Sequence, residues 1–384
     1  MILSRLHKFF WGGATTLSTL FLAPQILQAA PSLQLELDPP LSETVPFSHL
    51  TQLTLTAEDE SGKPIENIDF HVQLETPPKS PWLTSDFPIV EGSTLLDLRL
   101  PAPTGTVQFN QMMPIRGHYN LTITVYPQQP GAFEPFTEVL TFKVPENPIK
   151  YRNFALLIGT LLIIGFGGGW VIGGEQTMLE GETAPRRVQL LLSTAILITI
   201  GVMLYISISA ERADAHVGSH DQENKNTSRP KLLQETAPLP ETVVADLDFR
   251  GEPQVGYATP FTFKVHNANG EPLKNARLEI QSYALEYDRL VLSFNALLDE
   301  TGSYTWNQQF FDGAPHEVIV TVLPPLDPVN QESAFEPFSI RETVEVIGVA
   351  PPLSVRLITL GYFTSALGIG TGAGFMLKQR MQQP

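Results

Sequence analysis

The sequence predicts a membrane-anchored all-β protein with two β-sandwich domains plus three transmembrane α-helices. Three observations carry that reading. Two stretches of about 110 residues alternate polar and apolar side chains, as half-buried strands do. Three apolar segments are long enough to cross a bilayer, which takes about 20 residues. The word Ala-Phe-Glu-Pro-Phe occurs twice, at 132–136 and 334–338, and marks an internal repeat.

Composition sets the outer bounds. The 384 residues carry a formal net charge of −16, against the basic footprint that nucleic-acid binding needs. Only 17% are charged, which suits lipid-embedded segments. There is no cysteine, so disulfides, thiolate nucleophiles and cysteine-ligated metal centres are excluded. A cysteine-free exported chain fits a bacterial periplasm.

In chain order, residues 1–30 read as a signal peptide. Arg5 and Lys8 precede an apolar run, and Ala29 and Ala30 offer a small-residue cleavage site. Residues 31–150 form the first exported sandwich domain, and 151–174 the first transmembrane helix. A cytoplasmic loop occupies 175–187, the second transmembrane helix 188–210 and a polar linker 211–240. The second exported domain spans 241–350, the third transmembrane helix 353–377 and a cytoplasmic tail 378–384. Export of the first domain makes helices one and three run inward and helix two outward. Arg186, Arg187, Lys378 and Arg380 then face the cytoplasm, as the positive-inside rule asks. Lys150 and Arg152 on the outer side go against it. The protein is expected in the bacterial cytoplasmic (inner) membrane, multi-pass, with both domains on the periplasmic side.

The repeat explains why a middle helix is needed. Gly62-Lys63-Pro64 aligns with Gly270-Glu271-Pro272, HYNLTITVYP from His118 with PHEVIVTVLP from Pro315, and GFGGG at Gly165 with GIGTG at Gly368. The offset is 202 at the repeated word, 203 at the glycine run and 208 near the domain starts, implying small loop insertions. Two copies of an exported domain with an inward-running helix need an outward-running helix between them. The repeated word is expected in the connection to the last strand, its rings and proline plugging the sandwich end near the bilayer.

Within each copy, strands such as HVQLE and EVIVTVL are separated by turn words such as ESGKP and NANGEP. About seven short strands at this spacing suit an immunoglobulin-like β-sandwich. The pattern strand, D/N-x-x-G-x-P, strand, Gly-x-Tyr, carried by Asn269, Gly270, Pro272, Gly302 and Tyr304, resembles bacterial immunoglobulin-like modules, nearest the YtkA/FixH-like group. Copy one keeps Gly62 and Pro64 but has Gly105-Thr106-Val107 where Gly-x-Tyr is expected. The resemblance implies an exported sandwich on a membrane helix, in some members linked to metal-oxidase assembly or cation handling. It implies no catalytic residue.

Candidate chemistry is sparse. His216, His220 and Asp221 lie in the polar linker, and a His-x-x-x-His pair can present two imidazoles to zinc or copper. The intervening Val217-Gly218-Ser219 is poor helix material, so a flexible linker is the plainer reading. Met112, Met113 and His118 combine thioether and imidazole, which suits copper, but packing explains them better. Gly165, Gly169 and Gly173 recur at i, i+4, i+8, as do Thr364, Gly368 and Gly372. These stripes predict close helix–helix packing.

The function that follows is non-enzymatic. The two domains bind or help assemble a partner, another membrane protein or complex, and no resident cofactor is expected. The alternatives are a periplasmic copper or zinc handling factor, and an envelope glycan-binding or enzymatic protein.

Overall fold

The computed structural model describes residues 31–41, 43–80, 82, 85–174, 185–220, 243–325 and 335–382, and in the second helix only some side chains beyond 202. The expected signal peptide and most of the loop and linker calls lie outside these residues.

The first half contributes β1 (Ser32–Asp38), β2 (Leu50–Glu58), β3 (Ile68–Glu75), β4 (Thr94–Ala102), β5 (Thr106–Met112), β6 (Gly117–Pro127) and β7 (Phe136–Val144). Helices α1 (Pro148–Ile172) and α2 (Arg186–His220) follow. The second half contributes β8 (Val243–Phe249), β9 (Ala258–Asn267), β10 (Arg277–Ala284), β11 (Arg289–Leu297), β12 (Ser303–Gln309), β13 (His316–Leu323) and β14 (Phe338–Val344), and then α3 (Leu353–Gln382). The alternation read from the sequence sets the faces: Leu53, Leu55 and Ala57 of β2 and Ile68, Phe70, Val72 and Leu74 of β3 are fully buried, with their polar neighbours turned outward.

Apart from its helices the fold is all-β, a sandwich of two antiparallel seven-stranded sheets. One runs β1-β2-β5-β11-β10-β13-β14, the other β7-β6-β3-β4-β12-β9-β8. Each sheet takes strands from both halves. At the seam β5 pairs with β11 (Phe109 opposite Phe294) and β12 pairs with β4 (Asn307 opposite Asp97). In the repeat β5 corresponds to β12 and β4 to β11, so the two seam pairings are the same contact made twice about a pseudo-two-fold axis. A single buried core runs through both halves.

Repeated turn chemistry holds the copies to one shape. The Asp59 carboxylate accepts from the backbone N–H of Ser61 (2.8 Å) and Lys63 (3.0 Å). The Asn267 side chain accepts from Asn269 (3.0 Å) and Glu271 (2.9 Å) in the matching turn. Gly105 (φ +79°) and Gly302 (φ +68°) occupy equivalent left-handed positions where a Cβ would press on the Ile65 and Val265 carbonyls respectively, which is why both copies carry glycine there.

The structure corrects the position of the repeated word. Phe133 packs on Phe136 (6.2 Å between centroids) and Phe335 on Phe338 (6.1 Å), the same geometry in both copies. Both pairs sit at the sandwich end away from the helices. Each begins a strand whose other end feeds a helix, so hairpin geometry places it at the far end and not beside the helices.

The small insertions inferred from the offsets also need correction. The β3–β4 connection spans 76–93, whereas its counterpart between β10 and β11 spans only 285–288. Longer connections later in the second half restore the offset, so the spacings of 202 to 208 conceal a long insertion in the first half.

Candidate functional site

The helices leave the sandwich from the same end and two of them pack as a parallel pair. Asn147 caps α1, its side chain accepting from the Ile149 N–H (2.9 Å) with Pro148 in the first turn. α1 and α3 are long and apolar enough to cross a membrane. They meet through glycine. A Cβ on Gly165 would overlap the Leu367 carbonyl, and one on Gly169 the Thr371 carbonyl. Reciprocally, a Cβ on Gly370 would overlap the Leu162 carbonyl and one on Gly374 the Phe166 carbonyl. Gly173 lies against Phe375, 3.2 Å from where a Cβ would stand. Such approach brings Cα–H groups onto carbonyl oxygens of the facing helix.

The stripe on α3 therefore differs from the expected one. Gly165, Gly169 and Gly173 lie at the contact, but among the described residues Gly368 and Gly372 have nothing within 4 Å of a Cβ position, and Gly370 and Gly374 take the role assigned to them. Glycine at 368, 370, 372 and 374 offers two i, i+4 stripes on nearly opposite faces, and only the rotation of α3 against α1 selects one. The helices are thus in register at an offset of 205, not 203.

The third helix breaks the symmetry. α2 packs on α1, with Leu191 Cδ1 3.0 Å from where a Cβ on Gly167 would stand, and the Arg152 guanidinium lies 5.9 Å from the centre of the Tyr205 ring. The counterpart of Gly167 is Gly372, and among the described residues nothing covers the α3 face that carries it.

Polar side chains bridge the seam above the helices. The Tyr304 hydroxyl donates to the Arg99 carbonyl (2.9 Å), and the Gln309 amide donates to Ser93 Oγ (2.8 Å). Phe47, Phe87, Tyr287 and Phe311 cluster where the halves meet near the helix end. Because β4 and β12 pair over only two residues, they splay into a cleft of about 1090 Å³. Its polar wall holds His71 and Asp97 in contact at 2.8 Å, with Gln73 donating to the same carboxylate. Burial and the Asp97 charge raise the Tyr304 phenol far above its ordinary range, so it stays a neutral donor.

A second cavity, of about 530 Å³, lies where the sandwich meets α1 and α3. Arg116 pairs with Glu146, and Lys150 with Asp86 and, at 3.7 Å, with Glu146. The Tyr362 hydroxyl of α3 donates to the Trp82 carbonyl in the β3–β4 connection (2.8 Å).

The residues singled out for metal chemistry are not brought together. α2 continues through Val217-Gly218-Ser219 to His220, beyond the expected end at 210, because Glu211, Arg212, Ala213 and Ala215 propagate it. His216 and His220 are one turn apart on its backbone, but their side chains and Asp221 lie outside the described residues. Met112 and Met113 are buried core and His118 is exposed. Among the described residues no three His, Asp or Glu side chains cluster as metal ligands.

The sequence reading passed over a corner that differs between copies. The Tyr119 hydroxyl, fully buried at the start of β6, donates to the Ile115 carbonyl (2.6 Å) and accepts from its N–H (3.1 Å). Its counterpart is His316, whose Nδ1 lies 2.9 Å from the Ala314 carbonyl and whose Nε2 is 3.6 Å from Asp312. Burial lowers the His316 pKa and raises that of Asp312, in each case against the attraction between the pair. The alignment of Tyr119 with His316 was the signal in the sequence that could have found it.

No family model matches the chain, and no curated protein matches it. Among solved structures it is similar to trypsin-activated alpha-2-macroglobulin from Escherichia coli (12% identity, TM-score 0.23) over 82% of this chain and 16% of that one. It is similar to the native conformation of the same protein (11%, 0.22) over 82% and 14%. A third likeness is to MtrC from Shewanella baltica OS185 (9%, 0.19), over 84% of this chain and 71% of that one. The chain thus spans about one sixth of the length of the first two. At these scores none of the likenesses carries an argument about fold or function.

Proposed function

We propose that this chain is a non-enzymatic, multi-pass protein of the bacterial inner membrane. Its two immunoglobulin-like domains stand on the periplasmic side and hold or help assemble a partner membrane complex. The strand sets β1-β2-β5 with β7-β6-β3-β4, and their repeats, support the immunoglobulin-like reading. So does the Tyr119 corner at the start of β6.

The observation that carries the partner reading is the broken symmetry of the helices. In one copy α2 lies over Gly167 of the outer face, while among the described residues nothing comes within 4 Å of where a Cβ on Gly368 or Gly372 would stand on the equivalent α3 face. In a bilayer, small residues at this spacing favour a second helix by close packing. The seam fixes the two domains, so a helix docked on α3 would be held in a defined orientation to both.

The test is native electrophoresis of membranes solubilised gently, comparing the wild-type chain with Gly372→Leu. The wild type should migrate as a larger assembly, and G372L should release it while its unfolding midpoint is unchanged. Migration of the wild type as a lone monomer would refute the reading.

A second reading, metal handling, draws support from the helical path of α2, which sets His216 and His220 at i, i+4. Metal analysis before and after His220→Ala decides it, since equal metal content in both removes it.

A further inference from the structure

What holds this fold together is made twice: the seam pairings, the glycine contacts and the turns. Among the described residues the cavity between sandwich and helices is made once. Arg116 corresponds to Gly313, which packs directly on Gly348 and leaves no room for a side chain. The β7–α1 connection, with Glu146, is three residues long, whereas the β14–α3 connection spans 345–352. Trp82 and Asp86 belong to the β3–β4 insertion that the second half lacks. The described residues of the insertion are tied to one another. Glu91, 5% exposed, accepts from the N–H groups of Ser85 (2.6 Å) and Ser80 (3.3 Å), and Thr76 Oγ1 donates to the Val90 carbonyl (2.5 Å).

The cavity has two chemically distinct ends. Its top holds two cations and two anions, Arg116 and Lys150 with Glu146 and Asp86, so its formal charge is zero. Its floor is Phe154 and Leu157 of α1 with Ile358 and Phe363 of α3, continuous with the apolar helix surface. Trp82 (69% exposed) and Tyr151 (61%) flank the opening at the level where amphipathic rings collect at a bilayer surface.

We infer that this cavity binds the headgroup of a zwitterionic glycerophospholipid bearing a primary ammonium, with its phosphate toward Lys150 and Arg116 and its ammonium toward Asp86 and Glu146. The proposal rests on the membrane reading above. A headgroup with a phosphate but no ammonium would draw Lys150 and Arg116 away from Asp86 and Glu146 and leave both carboxylates without a cation. A headgroup carrying both charges exchanges each ion pair for another of the same kind. Carboxylate oxygens accept hydrogen bonds from a primary ammonium, whereas a quaternary one has no N–H to donate. The apolar floor receives the first methylenes of the acyl chains, which favours a lipid over a free phosphodiester.

The test uses the full-length chain, extracted in mild detergent, stripped of lipid and examined by native mass spectrometry. It is titrated separately with dioleoyl phosphatidylethanolamine, phosphatidylcholine and phosphatidylglycerol, and with soluble glycerophosphoethanolamine. One phosphatidylethanolamine should be retained with about tenfold preference over the other two lipids, the worth of one charge-assisted hydrogen bond. Lys150→Met and Asp86→Asn, both at partly exposed side chains, should each abolish the preference. Lys274→Met, at an exposed ion pair with Glu300 in the sandwich, should not. Equal retention of the three lipids, preference for another headgroup, or unchanged selectivity in both variants would overturn the site. So would soluble glycerophosphoethanolamine competing as well as the diacyl lipid, which would reassign the cavity to a water-soluble ligand. A chain that stays dispersed without detergent and retains no lipid would sink the membrane reading as well. One that needs detergent yet shows no selectivity would sink the headgroup site alone.

Discussion

Gly169→Ala tests the helix pair most directly. The added methyl would overlap the Thr371 carbonyl oxygen and stand 2.8 Å from the Phe375 nitrogen, both backbone atoms that cannot rotate away. The helices must therefore part, by about 1 Å if ordinary carbon–oxygen contact is to be restored, and a gap of that size forfeits a quarter to a half of each dispersion contact along the line. It also stretches the Cα–H···O contacts at Gly165, Gly169, Gly370 and Gly374, worth about 0.5–1 kcal/mol each. The sum is about 2–4 kcal/mol, in line with measured costs of overpacking. The assay is thermal unfolding of the full chain in detergent, where such a loss lowers the midpoint by several degrees. Gly372→Ala is the matched control, the same chemical change on a face with nothing within 4 Å. Gly169→Ala and Gly374→Ala together should cost less than their separate effects added, because one separation relieves both overlaps. An unchanged midpoint for G169A, or an equal loss for G372A, would refute the reasoning.

Other consequences follow from single contacts. Tyr119→Phe removes the hydroxyl that serves both backbone groups of Ile115 and should destabilise by about 1–3 kcal/mol in urea unfolding. Tyr304→Phe loses one bond across the seam, to the Arg99 carbonyl, and should cost about 0.5–1.5 kcal/mol, since the ring keeps its burial. Gly302→Ala forces a side chain at φ +68° against Val265 and Leu273, and should lower stability by more than 1 kcal/mol. Burial lowers the His316 pKa below its ordinary 6.5. The unfolded chain then binds the proton more readily, so stability present above pH 6.5 falls as the pH drops through the window below it. Asp312 acts in the opposite sense: its raised pKa favours the protonated folded state, a gain present at low pH and lost as pH rises through that pKa. Urea titrations between pH 7.5 and 5 should show the falloff in the wild type, and His316→Gln should flatten it.

Much of the architecture was legible before the fold was known, for reasons that are local. Alternation in LTQLTLTAE and IDFHVQLE fixed strand faces because neighbouring side chains must point to opposite sides of a sheet. The apolar run from Phe154 to Gly174 announced α1, because a span is legible from about 20 consecutive residues, although its capped start at Asn147-Pro148 was not read. The 14-residue difference between the two loops that follow β3 and β10 was not legible, because later additions hid it from a comparison made at the ends of the repeat. The cavity beneath that loop was missed with it, since Asp86, Arg116, Lys150 and Tyr362 share no motif and meet only when four separate segments converge.

The sequence by itself determined that there are two copies of a strand-rich unit, each followed by a glycine-bearing apolar helix, because repeats, alternation and apolar length are properties of residues near one another in the chain. Only the tertiary structure decided that the copies share both sheets, that Gly370 and Gly374 rather than Gly368 and Gly372 face α1, and that the cavity at the helix end has no twin among the described residues. Each depends on the rotation and register of segments some 180 to 280 residues apart, and those are set by which surfaces can approach closely enough to exclude everything else.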